Sequence, residues 1–358
     1  MNLKITTLRS NNCRLIIKGG ILKSVGTILQ KEFGRTKFFI ISDSNVARLH
    51  YQSVSNSIGK YQLEHDLISF PAGEKSKNLK TYEYIISQLL KKGAERKSVL
   101  VALGGGVTGD MAGLAAATYM RGINFVQIPT TLVGQIDSSI GGKVAVDHAA
   151  AKNLIGSFYS PKLVVIDPTV LSTLDNSNFL NGLFEAIKIA IIRNRRLYLF
   201  IEKNHSNILN RDPELLEHLI RACAREKVNA VTADPFEKGV REILNFGHTL
   251  GHALESAGKY RQFSHGVAVG HGMLFALRLS RMMTGLPDSE YVRADRLIRR
   301  LLGRQRKIIK DANKLWRLIA HDKKARDGLA RFVLLRKIGI PSVKNVDKKQ
   351  FIRAMESI

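Results

Sequence analysis

Ser98-Val99-Leu100-Val101-Ala102-Leu103-Gly104-Gly105-Gly106-Val107-Thr108-Gly109-Asp110 decides how this chain folds. The apolar run Ser98–Leu103 reads as a short buried strand, and Met111–Met120 reads as the helix that follows. Glycines 104, 106 and 109 satisfy G-x-G-x-x-G. Such glycines let backbone N–H groups at a helix N-terminus approach a pyrophosphate without side chains in the way. A tight strand–helix turn explains the same residues, and a lone match discriminates weakly. Two features strengthen the dinucleotide reading. The strand–turn–helix context is right, and Asp43 follows an earlier strand, Lys37–Ile41, where it could accept a ribose hydroxyl. The motif lies too far along the chain for the first turn of a standard Rossmann domain, so the expectation is a dinucleotide site of another arrangement.

Working outward, the first half alternates β-rich runs with helical stretches. Leu79–Lys92 has helical spacing, and Asn124–Ile128 and Leu163–Ile166 are further strands. This alternation predicts a parallel sheet with both faces covered. From about Ser177 strand-like runs nearly vanish, and Phe179–Ile192, Pro213–Ala233 and Val292–Leu302 read as amphipathic helices. The expected fold is an α/β dinucleotide-binding domain, residues 1–176, followed by a mainly α-helical domain, residues 177–358.

Composition narrows the classes. The chain has 358 residues, 44% of them hydrophobic, and a formal net charge of +26. No apolar run is long enough to span a membrane, and the first twenty residues lack the pattern of a signal peptide. Cys13 and Cys223 form no CxxC motif and no disulfide framework, so both read as reduced thiols. The charge invites a nucleic-acid reading. Residues 281–358 carry 21 Lys+Arg against 8 Asp+Glu, half of the total excess. Those cations alternate with Leu, Ile and Val as on solvated helix faces, without interleaved aromatics or a known nucleic-acid motif, which argues against that role.

Three further stretches carry chemistry. Pro129–Leu132, Asp137–Lys143 and Lys152-Asn153 are polar and glycine-rich, with no helix-long apolar stripe. They read equally as a functional loop or as an irregular surface loop. Asn245-Phe246-Gly247-His248-Thr249-Leu250-Gly251-His252 sets two histidines on one face of a helix. His265 and His271 follow, and Glu185 and Lys188 share a face of an earlier helix. One Glu and two His with an open position suit a catalytic zinc ion. Histidines satisfied within the core are the plainer alternative, and spacing does not say which two would be ligands. Lys227, Arg241, Lys323 and Lys324 are cations near these segments. They are solvated faces unless several converge on a phosphate or carboxylate.

Together these segments resemble the sugar phosphate cyclases, most closely the 3-dehydroquinate synthase family. The resemblance runs from Phe70-Pro71-Ala72-Gly73-Glu74-Lys75-Ser76-Lys77 to Asp322-Lys323-Lys324, through GGGVTGD, YMRG, PTTL, DSSIGGK, KNLIG, EAIK and NFGHTLGH in order. It implies a cytoplasmic, homodimeric enzyme of the shikimate pathway of aromatic amino acid biosynthesis. The implied reaction turns 3-deoxy-D-arabino-heptulosonate 7-phosphate into 3-dehydroquinate and phosphate. Transient oxidation by NAD, phosphate elimination, re-reduction and intramolecular aldol closure are its implied steps. The implied metal is zinc, or cobalt in its place, on Glu185, His248 and His265, with His252 facing the substrate instead. Asp43, Glu74, Lys77, Gly105, Gly106, Asp110, Thr130, Thr131 and Leu132 match NAD contacts, with Lys152 near both nicotinamide and substrate. Asp137 and Lys188 match substrate-hydroxyl positions, and Lys227 and Arg241 carboxylate-binding positions. Lys143, Asn153, Asn245, His252 and one of Lys323 or Lys324, with Lys324 preferred, match the phosphate end. Arg121 is expected at a neighbouring subunit's site. Two departures stand out: Val144 where the family usually has Thr, and Val267 where it usually has Glu. His271 is also unusual. Another sugar phosphate cyclase, or a catalytically weakened basic homologue with a binding role, is the alternative. Glu185 argues against the polyol dehydrogenases, whose metal set is Asp plus His.

Overall fold

The computed structural model describes residues 6–10, 13–149, 151–237, 239–259, 262–303, 308–309, 311–321, 325–326 and 329–356. The chain divides into two compact units: residues 1–175 with 210–236, and residues 176–209 with 237–358.

The first unit is built on a seven-stranded sheet. Its strands are β1 (Thr6–Ser10), β2 (Cys13–Ile17), β3 (Phe38–Asp43), β4 (His65–Phe70), β5 (Val99–Gly104), β6 (Asn124–Pro129) and, after a hairpin, β9 (Leu163–Ile166). Their order is β1-β2-β9-β6-β5-β3-β4, parallel throughout except for the antiparallel edge pair β1–β2. Every residue of β5 and β9 is buried, because helices cover both faces. Alternation along β3 divides the core. Phe38 and Ile40 pack with Val25, Leu29, Val54 and Ile58 of α1 (Val25–Phe33) and α3 (Gln52–Gly59). Phe39 and Ile41 pack on the other face with Ile85, Leu89, Met111 and Ala115 of α4 (Leu79–Lys91) and α5 (Gly106–Thr118). The one-turn helix α2 (Ser44–Val46) leaves β3 directly, capped by Asp43.

Two differences from the sequence expectation arise here. Lys143 and Lys152-Asn153, read as parts of a loop, lie in a hairpin of β7 (Lys143–His148) and β8 (Ala151–Phe158). β8 is exposed along its whole length, so no apolar alternation advertises it. Helix α5 also starts at Gly106, five residues before the expected Met111.

The second unit begins with α6 (Asn176–Arg193) and α7 (Arg195–Leu209). The chain then returns to the first unit as α8 (Pro213–Ala233), whose apolar stripe packs on β1 and on the turn Gly134–Ser138. A single cut near residue 176 is therefore corrected: amphipathicity made α8 a helix, but which unit covers its stripe is a tertiary matter. The second unit continues with α9 (His248–Ala257), α10 (His265–Thr284), α11 (Asp288–Leu302) and α12 (Ala312–His321). It ends in an antiparallel sheet of β10 (Ala325–Arg326), β11 (Leu329–Lys337) and β12 (Ile340–Val346), then α13 (Lys348–Glu356). That sheet is the exception to the expectation that strand-like runs nearly vanish from about Ser177. Phe332–Leu335 is a continuous buried run, which by periodicity alone reads as either helix or strand. Among the described residues no helix is long and apolar enough to cross a membrane.

Candidate functional site

In the first unit the chain leaves β3 outward to β4 and returns to β5 on the other side of β3, so strand order reverses there. Ligands of open α/β sheets bind at the carboxyl ends of strands at such a reversal. Asp43 ends β3 and Gly104 ends β5, which accounts for a glycine motif so far along the chain. Gly105 is the N-cap of α5 and has no side chain to occupy the first N–H groups of the helix. Packing explains some of these glycines but not all. A Cβ at Gly104 would lie 2.3 Å from Thr108 Oγ1, and one at Gly109 would lie 2.8 Å from Gln127 Oε1. One at Gly106 would make only an ordinary contact, 3.5 Å from Ser138 Oγ. At Gly106, therefore, close approach of a ligand is the better reason for glycine.

The surrounding side chains are linked. Asp43 Oδ1 accepts from the Asn45 and Val46 N–H groups at 3.0 and 3.1 Å, and Thr108 donates to its Oδ2 at 3.3 Å. The buried Lys77 ammonium sits 2.5 Å from Asp110 Oδ2 and also donates to Asn153 Oδ1. Burial pushes the Asp110 carboxyl up to about 6, against the pull of Lys77. Asn153, at φ 53°, donates its N–H to Asp147 Oδ1 at 2.8 Å, and the Asp147 N–H donates to the Lys77 carbonyl at 3.0 Å. Lys152 and Glu74 form an exposed pair at 3.2 Å. The Thr130 N–H donates to the Gly104 carbonyl at 2.9 Å, tying the end of β6 to the end of β5. Its Oγ1 is buried without a hydrogen-bond partner, as expected of a hydroxyl that a ligand would satisfy. Thr131 Oγ1 accepts from the Gly134 N–H, and Leu132 is buried. On α8, the buried Lys227 pairs with Asp137 of the turn Gly134–Ser138.

The second unit brings Glu185, His248 and His265 together from three helices. Each offers one ligand atom, and the three atoms lie within 4.8 Å of one another. Glu185 Oε1 is 3.4 Å from His265 Nε2 and 3.6 Å from His248 Nε2, yet this buried oxygen accepts no hydrogen bond. An orphaned carboxylate oxygen facing two imidazole nitrogens fits a divalent cation with an open coordination position. Lys188, one helical turn on, reaches the other oxygen, Glu185 Oε2, at 2.5 Å. Burial opposes ionisation of Glu185, but Lys188 and the two histidines outweigh it and hold the carboxyl well below the usual carboxylate range. Burial, and then Lys188, push His248 well below the usual imidazole range, toward the neutral form that binds metals. Burial lowers His265 too, but Glu185 and Glu255 outweigh it and raise it to about 10. His252, Glu255 and His265 form a second, overlapping group of potential ligand atoms, with His252 exposed.

Small residues let α9 and α10 approach closely enough for this geometry. Gly247, at φ 80°, caps α9 immediately before His248. A Cβ on Gly272 of α10 would lie 1.8 Å from the Gly247 carbonyl oxygen.

Arg241 is buried in the turn Val240–Asn245, 4.0 Å from Glu237 Oε2, and Asn245 ends that turn. Lys143 and Arg121 are exposed, the latter at φ 67°. Lys323 and Lys324 lie outside the described residues. Val144 is buried against Gly113, Val267 is buried within α10, and His271 is buried with its ring 6.1 Å from that of Phe263. Sequence reasoning missed Glu255, Asp147 and Thr108. Glu255 had a signal, since it lies seven residues after His248 on the same helix face.

Residues 67–181 match the model of the 3-dehydroquinate synthase N-terminal domain, and residues 182–325 match that of the C-terminal domain. A 3-dehydroquinate synthase of Pelobacter propionicus is 40% identical, with 98% of each chain covered. A 2-deoxy-scyllo-inosose synthase solved with carbaglucose-6-phosphate, NAD+ and Co2+ superposes with a TM-score of 0.89 at 26% identity, over 99% of this chain and 100% of that one. The 2-epi-5-epi-valiolone synthase of Streptomyces hygroscopicus subsp. jinggangensis, solved with NAD+ and Zn2+, gives 0.87 at 25% identity, over 99% and 98%. With both halves matched and identity of this order over nearly its full length, the chain belongs to the 3-dehydroquinate synthase family.

Proposed function

We propose that this chain converts 3-deoxy-D-arabino-heptulosonate 7-phosphate to 3-dehydroquinate and phosphate, using NAD and a divalent cation, zinc or cobalt. The observation that carries the reading is the convergence of His248 and His265 on one buried, unsatisfied carboxylate oxygen of Glu185, in a chain of this family. Identity of 40% to a 3-dehydroquinate synthase, against 25–26% to cyclases named for other products, favours this substrate. When bound, NAD supplies a reversible hydride acceptor and the cation supplies Lewis acidity.

The chain's own residues do the rest. The N–H groups at Gly105 and Gly106 hold the pyrophosphate, Asp43 accepts from ribose hydroxyls, and the Thr130 hydroxyl gains the partner it lacks. Glu74, Lys77, Asp110, Thr131 and Leu132 complete the cofactor's surroundings, with Lys152 beside the nicotinamide. Asp137 and Lys188 orient substrate hydroxyls, while Lys227 and Arg241 bind the carboxylate. Lys143, Asn153, Asn245, His252 and Lys324 hold the phosphate end. Donors held around the phosphate would stabilise the departing dianion. Arg121 serves a neighbouring subunit in a homodimer, and the enzyme works in the cytoplasm.

Phosphate release from the seven-carbon substrate, measured with NAD and zinc supplied, tests the reading. Turnover that chelation and His248→Ala both abolish is expected. No turnover with both supplied, from a folded chain, refutes it.

A further inference from the structure

The two metal-facing histidines are oriented from behind, and by different means. His248 Nδ1 is 3.3 Å from the Phe246 carbonyl oxygen, a backbone group at the start of its own helix. His265 Nδ1 is 3.4 Å from Glu255 Oε2, a side chain of α9. A carbonyl and an ionised carboxylate only accept, so in both rings the proton belongs on Nδ1. With a cation bound, both Nε2 atoms would then be unprotonated and free to share it with Glu185 Oε1, from which they lie 3.6 and 3.4 Å away. The two rings are not equally constrained. The side chain of His248 is 12% exposed and that of His265 40% exposed, so packing fixes the first far better than the second. Glu255 is itself well buried, at 12%, on the helix that carries His248. His248, His252 and Glu255 follow one face of α9. Val267, two residues beyond His265, is apolar and buried and cannot take this role.

We infer that Glu255 is a positioning residue for the metal centre: its carboxylate sets the tautomer and orientation of His265 and raises the basicity of that ligand. The inference rests on the proposal that Glu185, His248 and His265 bind the cation. It adds a determinant of metal affinity that touches neither cation nor substrate.

Zinc affinity of the metal-free protein, measured by chelator competition, tests it alongside the visible absorption of the cobalt-loaded form. Glu255→Ala should weaken zinc binding by roughly 10–100-fold and alter the cobalt bands, with metal-free thermal unfolding unchanged. Glu255→Gln keeps an acceptor oxygen and the side-chain volume, so it should lose distinctly less; if the alanine variant does not fold, zinc binding weakened in this variant decides the question. A folded Glu255→Ala protein that binds zinc within about two-fold of the unsubstituted chain, with the same cobalt spectrum, overturns the inference. So does a stoichiometry of two cations falling to one in that variant, which would make Glu255 a ligand. If the unsubstituted chain takes up no zinc, or His248→Ala binds it equally well, the parent metal reading fails and this one with it.

Discussion

Gly272→Ala probes whether helix packing sets the metal-site geometry. The added Cβ would lie 1.8 Å from the Gly247 carbonyl oxygen, 2.8 Å from its carbon and 3.0 Å from the Gly251 nitrogen. All three obstacles are backbone, so no side chain can swing aside. A carbon–oxygen contact relaxes only at about 3.3 Å, so α9 and α10 must separate locally by about 1.5 Å. Overpacking of this kind costs about 1–3 kcal/mol, and a backbone obstacle puts this case at the upper end, about 3 kcal/mol. Gly247 directly precedes His248, while His265 opens the helix that carries Gly272. The displacement would therefore spread the proposed ligands, whose distances to a cation tolerate only about 0.2 Å. Urea unfolding of the metal-free protein should show the stability loss, and zinc titration should show affinity reduced by about ten-fold or more. Gly59→Ala, at the end of α3 with nothing within 4 Å of its Cβ, is the control and should be neutral or slightly stabilising. A Gly272→Ala protein within about 1 kcal/mol of the parent, with zinc affinity intact, would refute the reasoning.

Asp110 should titrate near 6 by carboxyl NMR; because its folded value lies above an unfolded value of about 3.9, its contribution to stability is full below that value and is lost as pH rises through about 6. A midpoint near 4 contradicts this. Arg293 donates to Glu202 through Nε at 3.0 Å and through a second nitrogen, and this guanidinium holds the Glu202 carboxyl below its usual range. Arg293→Met should cost less than about 1 kcal/mol at neutral pH, since both groups are partly exposed. Glu202 is depressed in the folded state, so its contribution exists above the unfolded value and fades as pH falls through the folded one. The urea midpoints of the two proteins should then converge as the pH is lowered and the carboxyl becomes protonated in both states, and a gap that persists in acid contradicts the ion pair as its source. Burial raises the Cys13 thiol to about 12 and raises Cys223 as well, so an aromatic disulfide reagent at mildly alkaline pH should label neither until denaturant is added. Rapid labelling of the native protein contradicts their burial.

Legibility in the sequence followed burial. β3, β5, β6 and β9 could be read because strands covered on both faces leave continuous apolar runs, and glycines punctuate the turn after β5. β8 could not, since Ala151–Phe158 lies on the surface and no periodic constraint acts on it. β11 was hidden for the opposite reason. Its buried run sits among cations whose spacing suggests a helix face. The helix carrying His248 and His252 was visible, but a four-residue spacing puts both on one face and cannot say which of them Glu185 opposes. That depends on where α6 lies. Glu255 shares the face too, yet its contact with His265 arises only once α10 packs on α9.

The +26 charge belongs to the surface and not to the groups that would bind the anionic ligands. Lys77, Lys152 and Lys227 pair with Asp110, Glu74 and Asp137 in the first unit. Lys188 and Arg241 face Glu185 and Glu237 in the second. Four of these five cations are buried, and an isolated buried cation would shed its proton or destabilise the fold. The acids keep the cations charged and in place before any ligand arrives. On the proposed assignment, an incoming phosphate or carboxylate would meet donors that, the exposed Lys152 excepted, are already dehydrated and oriented, and need only exchange one partner for another. Local neutrality and anion recognition are compatible for that reason, and the surplus on segments such as Arg293–Arg300 is not needed to explain binding. What the surplus can change is the rate of encounter, through a long-range field that salt screens within about 8–10 Å, while the paired and mostly buried cations are screened far less.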